Sequence, residues 1–469
     1  MPLRSSGGVR ARFGRSATKG TARPDNRLAF FDQATFLSLR ASGRGQLMQI
    51  VWLYEHAVDF DKLRRTYRNG GYGLLGRRIE RSPLPFGRHR WVSAVGQPSG
   101  VDIGQSARPR AELSDWADER AQLPIDPEWG PGWHMGVLPL TDGSTAVSVV
   151  LSHCLADGIA GMILIFNAVT DNVRDLGYPP PHSRTRLRAA VSDFRETLQG
   201  LPASVQAAGE AAKLVFRARH DIARPAAART VSTLEDGADC NVVVPTITVY
   251  VDLDDWDAQA NTLGGTSYSL FAGVAAKLGE HLGRRRSDDG TVTLLIPISD
   301  RTLDDTRAIA MSYAKVSLDP ARVTTDLSGA RVTIKQALST ARETPDPALQ
   351  ILPLTPFIPK RVVQRLADLM FGFGDSAVLC SNLGDLPAEI ACADGTPAEY
   401  VMLRPVDQGV TRQYIESSGG QLVVAGARIS GKMSISVVAY QPGGKNSKQH
   451  LRELAAHTLA EFGLTGIID

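Results

Sequence analysis

The chain has 469 residues, 43% hydrophobic and 22% charged, with a formal net charge of +3. That length suits two domains better than one core, and the small charge gives no reason to expect nucleic acid as a partner. No apolar run approaches the ~18–20 residues that a membrane-spanning helix needs. The first segment, residues 1–25, reads as a disordered basic tail, with Arg4, Arg10, Arg12, Arg15, Lys19 and Arg23 and no acidic residue before Asp25. It lacks the apolar stretch of a secretory signal. Attraction to an anionic membrane surface is the functional alternative.

Residues 26–182 read as the first domain. Gln49–Tyr54 and Ala146–Ser152 are strand-like runs, Leu63–Tyr67 lies on a helix, and a second helix covers Gly158–Thr170. The turn-rich Gly177–His182 closes the domain. Residues 183–240 read as a helical connector and linker. In it Leu187, Val191, Phe194, Leu198 and Leu201 recur at spacings of three and four, an amphipathic stripe expected to pack on one side. A membrane-surface helix is the alternative. Residues 241–469 read as the second domain. Its strands are Val242–Leu253, Val292–Ile298, Ala377–Ser381, and a hairpin of Gln421–Ala427 with Met433–Tyr440. Its helices are Ser269–Gly283, Leu327–Thr340, Val362–Met370 and Ser447–Phe462. The Gly443-Gly444 loop lacks the strand–loop–helix context of a phosphate cradle.

The most informative stretch is Val147–Gly161. A β-branched run ends in His153, and four residues later Asp157-Gly158 opens a helix. This places an imidazole at the mouth of a strand, where it suits a general base near neutral pH. Asp157 on the same turn holds the loop and ring, and Gly158 gives the backbone room to turn. Arg301 is a candidate partner for Asp157, with Arg88, Arg90 and Arg404 as alternatives. Cys154 follows His153 but points to the opposite face, so it reads as packing. The other cysteines, 240, 380 and 392, show no metal-ligand spacing. No metal is expected, and four unpaired cysteines suit a reduced, cytoplasmic setting.

His153-Cys-Leu-Ala-Asp157-Gly158 resembles the active-site motif of the CoA-dependent acyltransferase superfamily. The flanking segments resemble bacterial wax ester synthase/diacylglycerol acyltransferases and polyketide-associated acyltransferases. They are Leu28–Phe36, Val58–Arg65, Pro85–Val92, Gly130–Trp133, Ile296–Arg301 and Cys380–Pro387. They run in family order over roughly residues 26–465. The chain departs from the pattern at Ser152, where many relatives carry a first histidine, at Gly265–Phe271, where the wax synthase group usually has an Asn-Asp pair, and near Ala308-Ile309-Ala310, where Gly-Asn is expected. The resemblance implies an α/β fold of two chloramphenicol-acetyltransferase-like domains with a tunnel between them. It implies acyl transfer from acyl-CoA, used as substrate with no cofactor, to a hydroxyl of a lipid-like acceptor, with peripheral contact at the inner face of the membrane. His153 would act as base, while Ser381 or Asn382 would stabilise the oxyanion or line the tunnel. The alternatives are a carrier-protein-dependent or condensation-type acyltransferase, and a catalytically silent lipid-binding relative.

Overall fold

A computed structural model of the chain describes residues 25–96, 100–221, 240–302, 304–344, 347–358 and 377–469. The basic tail of residues 1–24, the linker around 225–238 and the expected helix at 362–370 lie outside the described residues. The first half runs α1 (Phe30–Ser42), β1 (Gly45–Tyr54), α2 (Phe60–Gly70), β2 (Arg77–Glu80), β3 (Arg90–Ser93), β4 (Asp102–Ile103), α3 (Leu113–Ala121), β5 (Trp133–Pro139), β6 (Thr145–Ser152), α4 (Gly158–Val169) and α5 (Arg186–Asp221). The second half runs β7 (Thr246–Asp252), α6 (Leu253–Thr262), α7 (Ser267–His281), β8 (Val292–Ser299), β9 (Met311–Leu318), α8 (Ser328–Glu343), β10 (Val378–Asp385), β11 (Tyr400–Gln408), β12 (Gln421–Ile429), β13 (Lys432–Tyr440), α9 (Lys448–Glu461) and β14 (Ile467–Ile468).

Two large sheets result. The first has the order β11-β1-β6-β5-β4, the second β14-β7-β13-β12-β10-β8-β9. Every residue of β6 is buried, because β1 and β5 flank it antiparallel and both its faces are covered. On β1 the alternation sorts two cores. Ile50, Trp52 and Tyr54 join a core with α4 residues, while Val51 and Leu53 pack with Leu113 and Trp116 of α3. The second sheet has its own core, with Leu270, Phe271 and Val274 of α7 and Leu451 and Leu459 of α9 against strand residues such as Leu294 and Val424.

The sheets do not follow the division of the chain at residue 241. Strand β11 comes from the second half, yet it pairs antiparallel with β1 over nine positions, from Gly45↔Gln408 to Leu53↔Tyr400. Arg404 on it reaches the Gln49 amide oxygen at 2.6 Å and forms an ion pair with Asp118. The Trp52 indole donates to the Ile390 carbonyl at 2.7 Å, and Ser434 of β13 donates to the Val401 carbonyl at 2.7 Å. The two sheets are thus tied together through β11.

Helix α5 reverses an expectation. The stripe of Leu187, Val191, Phe194, Leu198 and Leu201 faces solvent, and Ala189, Asp193, Ser204 and Ala207 face the body. The cause is polar. Asp193 accepts from Ser82 at 2.6 Å and pairs with Arg184 at 2.8 Å and Arg90 at 3.2 Å. Three partners for one buried carboxylate fix which face is turned inward.

Candidate active site

His153 follows β6 in a tight turn. Its backbone N–H donates to the Gln46 carbonyl at 3.0 Å, which pins the turn to the start of β1. Ser152, at the position where relatives carry a histidine, is buried and accepts from the Cys154 N–H at 3.2 Å, so it braces the same turn. Cys154 is buried, and burial pushes its thiol up to about 12. It is therefore a protonated packing residue and no nucleophile.

Asp157 is the N-cap of α4. One carboxylate oxygen accepts from the Ala160 N–H at 2.8 Å. The other accepts from Arg301 Nη2 at 2.8 Å and from the Ala310 N–H at 2.9 Å. The carboxylate and the guanidinium are each about 2% exposed. Arg301 also donates to the carbonyls of Asp305, Arg307 and Ala308. The other candidate arginines are engaged elsewhere: Arg88 with the Leu28 carbonyl, Arg90 with Asp193 and Glu196, and Arg404 with Gln49 and Asp118. The buried Asp157 carboxylate thus accepts three hydrogen bonds, one on one oxygen and two on the other, which fix it in place.

The His153 ring makes no hydrogen bond among the described residues. The residue is half-buried and keeps some accessible surface. Burial holds the imidazole below its ordinary pKa, against a smaller upward pull from the Asp157 charge. At neutral pH the ring is uncharged, with one nitrogen free to accept a proton.

Three residues complete the loop. Asp32 is fully buried and accepts from the N–H groups of Ala308 at 3.0 Å and Ile309 at 2.9 Å. Two carboxylates from the first half therefore grip residues 308–310 of the second. Arg77 donates to the Leu155 carbonyl at 3.1 Å and the Thr306 carbonyl at 2.5 Å, with its guanidinium stacked over Trp91. Tyr313 on β9 lies within reach of the Asp157 charge, and burial raises its phenol to about 12. Asp32 lies in the segment Leu28–Phe36, which resembles an opening segment of the acyltransferases but assigns the aspartate no role. Neither Arg77 nor Tyr313 carries a local signal.

Strand β10 brings its end to the same place. A Cβ on Gly158 would lie 3.3 Å from the Leu383 side chain. Val378 and Cys380 enter the second-sheet core, whereas Leu383 packs on the core of the first half. Ser381 alternates with Cys380, and the strand becomes irregular after Asn382, between Ser381 and the end that carries Leu383 to the first half. The Asn382 amide oxygen is used locally, accepting from the Gly384 N–H at 2.8 Å, which is ordinary turn chemistry. Trp133 is a wall residue, its ring 4.8 Å from that of Tyr67.

Among the described residues one group has the donors for a metal: His281, His457 and Glu461, on α7 and α9. Glu461 is already paired with Lys277 at 3.2 Å and with His281 at 2.8 Å. The group lies away from the His153 loop, on helices of the second core.

Residues 74–267 match the wax ester synthase/diacylglycerol acyltransferase catalytic domain. The wax ester synthase/diacylglycerol acyltransferase match spans β2 to the start of α7 and includes the His153 loop; this is an acyltransferase family. No curated protein sequence matches the chain. Solved structures align along nearly all of it. The wax ester synthase/diacylglycerol acyltransferase from Marinobacter aquaeolei VT8 has a TM-score of 0.53 at 13% identity, covering 93% of this chain and 98% of its own. The trichothecene 15-O-acetyltransferase from Fusarium sporotrichioides has a TM-score of 0.55 at 12% identity, covering 98% and 99%. Polyketide synthase associated protein 5 from Mycobacterium tuberculosis has a TM-score of 0.50 at 14% identity, covering 92% and 97%. At these identities the likeness shows the fold, the two-domain chloramphenicol-acetyltransferase type. Among the described residues no helix is long and apolar enough to cross a membrane.

Proposed function

We propose that this protein is an O-acyltransferase that moves a fatty acyl group from acyl-CoA to the hydroxyl of a lipid-like acceptor, with His153 as general base. The observation that carries the reading is the division of labour on one loop. Asp157 has both carboxylate oxygens hydrogen-bonded, while the neutral His153 ring beside it has no partner among the described residues. A thioester is already activated, so no covalent enzyme intermediate is needed. The imidazole takes the hydroxyl proton as the oxygen forms its bond to the thioester carbonyl carbon. The carbon–sulfur bond then breaks, and the leaving thiolate takes that proton back from the imidazolium. Ser381 and Asn382, next to Leu383 at the end of β10, are the candidate donors to the transient oxyanion. Donor and acceptor would meet at His153 from opposite ends of a tunnel between the sheets.

The test is turnover of long-chain acyl-CoA with a fatty alcohol or diacylglycerol, in parallel with the same acyl group on a carrier protein. His153→Ala should lower acyl transfer by at least ~10²-fold, the scale of a lost general base, with an unchanged circular dichroism spectrum. Near-normal turnover in the folded variant would overturn the mechanism. Activity with the carrier-bound donor alone would move the protein to the carrier-dependent class.

A further inference from the structure

The outward stripe on α5 is the largest feature that the acyl-transfer reading leaves unused. Leu187, Val191, Phe194, Leu198, Leu201 and Val205 succeed one another at steps of four, three, four, three and four, and their exposure runs from 41% at Leu201 to 75% at Leu187. Six large apolar side chains in one row form a contiguous apolar patch of the kind that marks an interaction site. The exposed charges beside it, from residue 186 to 209, are Arg186, Arg188 and Arg195. The acidic residues of this stretch are paired: Asp193 is buried with Arg90 and Arg184, Glu196 is half-buried and held by Arg90 at 2.5 Å, and Glu210, just beyond it, pairs with Lys213 at 2.8 Å. The inner face of the same helix is clamped by Asp193, and Ser204 donates to the Pro353 carbonyl at 3.3 Å. The helix is therefore fixed with its apolar side out and cannot roll that side into the core.

We infer that this face of α5 docks the protein on an anionic lipid surface, with the stripe inserted among the acyl chains and the three arginines on the headgroups. An apolar row flanked by arginine is the composition of a helix that lies in a membrane interface, and each arginine adds attraction to an anionic leaflet. Charge argues against a second copy of the chain as the occupant. Arg195 stands beside the midpoint of the row, so paired helices running either way would bring it against its own copy, and Glu196 is not free to relieve it. The inference stands apart from the acyl-transfer reading, because it uses no residue of the His153 loop.

The experiment is co-sedimentation of the full-length protein with vesicles of phosphatidylcholine alone and with a third phosphatidylglycerol. The wild type should bind the mixed vesicles, more weakly as salt rises, and bind the neutral ones poorly. Phe194→Gln/Leu198→Gln should weaken binding to the mixed vesicles by ~10-fold or more, since two apolar side chains leave the interface. Its circular dichroism and turnover of a short acyl-CoA should be unchanged, because both positions are exposed. Arg186→Gln/Arg188→Gln/Arg195→Gln should lose the preference for the mixed vesicles. Undiminished binding by the double variant would overturn the inference, as would absence of wild-type binding. A concentration-dependent dimer that the double variant abolishes would also overturn it and assign the stripe to self-association.

Discussion

At the scale of single residues the site rests on the ion pair between Asp157 and Arg301. Asp157→Ala would leave a guanidinium buried without its carboxylate, a change that typically costs about 3–5 kcal/mol, and would also uncap α4. The expected result is a lower melting temperature together with lower turnover. An unchanged melting temperature with lost activity would instead assign Asp157 a direct chemical part. The lowered pKa of His153 sets the pH profile. The active form is the neutral ring, so the acid limb of kcat/KM should fall below the ordinary histidine value of ~6.5, with activity level from that value to pH 8. A midpoint above 7 would contradict the burial argument. His153, Asp157 and Gly158 were legible in the sequence because they share one turn, and Arg301 because its strand carries a recognisable pattern. Asp32 was not. Its carboxylate meets backbone N–H groups 276 and 277 positions away, and a side chain that binds backbone imposes no residue type on its partner.

At the scale of elements, the seat of α4 on β1 is tight. A Cβ on Gly161 would stand 2.0 Å from the Met48 terminal carbon. That atom is the tip of a flexible side chain that can turn aside, and Ala suits a helix better than Gly by about 1 kcal/mol, so Gly161→Ala should leave the urea midpoint nearly unchanged; a fall worth more than about 1 kcal/mol would show that Met48 cannot move. Strands such as β6 were legible because both of their faces are apolar, and α9 because Ser447 caps it and accepts from the His450 N–H. The orientation of α5 was not legible. Its spacing declares an amphipathic helix, but the side that docks is decided by Ser82, Arg90 and Arg184 together binding Asp193, and two of them, Ser82 and Arg90, lie more than 100 positions away. Strand β11 was missed for a related reason. It reads Tyr-Val-Met-Leu-Arg-Pro-Val-Asp-Gln, an edge strand whose arginine and aspartate mask it until Gln49, Asp118 and Gln421 are found to meet them.

At the scale of the whole molecule, buried histidines set its response to acid. Burial lowers His89 and His134 to about 4. The unfolded chain protonates both near ~6.5, so it binds more protons than the native state between those values. Stability is then full above ~6.5 and is lost as pH falls toward about 4. Asp32, Asp407 and Asp469, whose carboxyls burial raises, act in the opposite direction. The clean measurement is therefore differential: His134→Gln should show a smaller drop in melting temperature between pH 7 and pH 5 than the wild type. The placement of β11 has a further effect, on synthesis. Arg404 lies 355 positions after its partner Gln49. At usual translation rates of ~5–20 residues per second, the ribosome exposes β1 with one unpaired edge for roughly 20–70 s before the covering strand emerges. An unpaired apolar edge recruits other chains. Residues 1–240 expressed alone should accordingly aggregate, and supplying residues 241–469 in the same cell should bring them into solution. During translation the nascent chain would have to be shielded until almost all of it has been made.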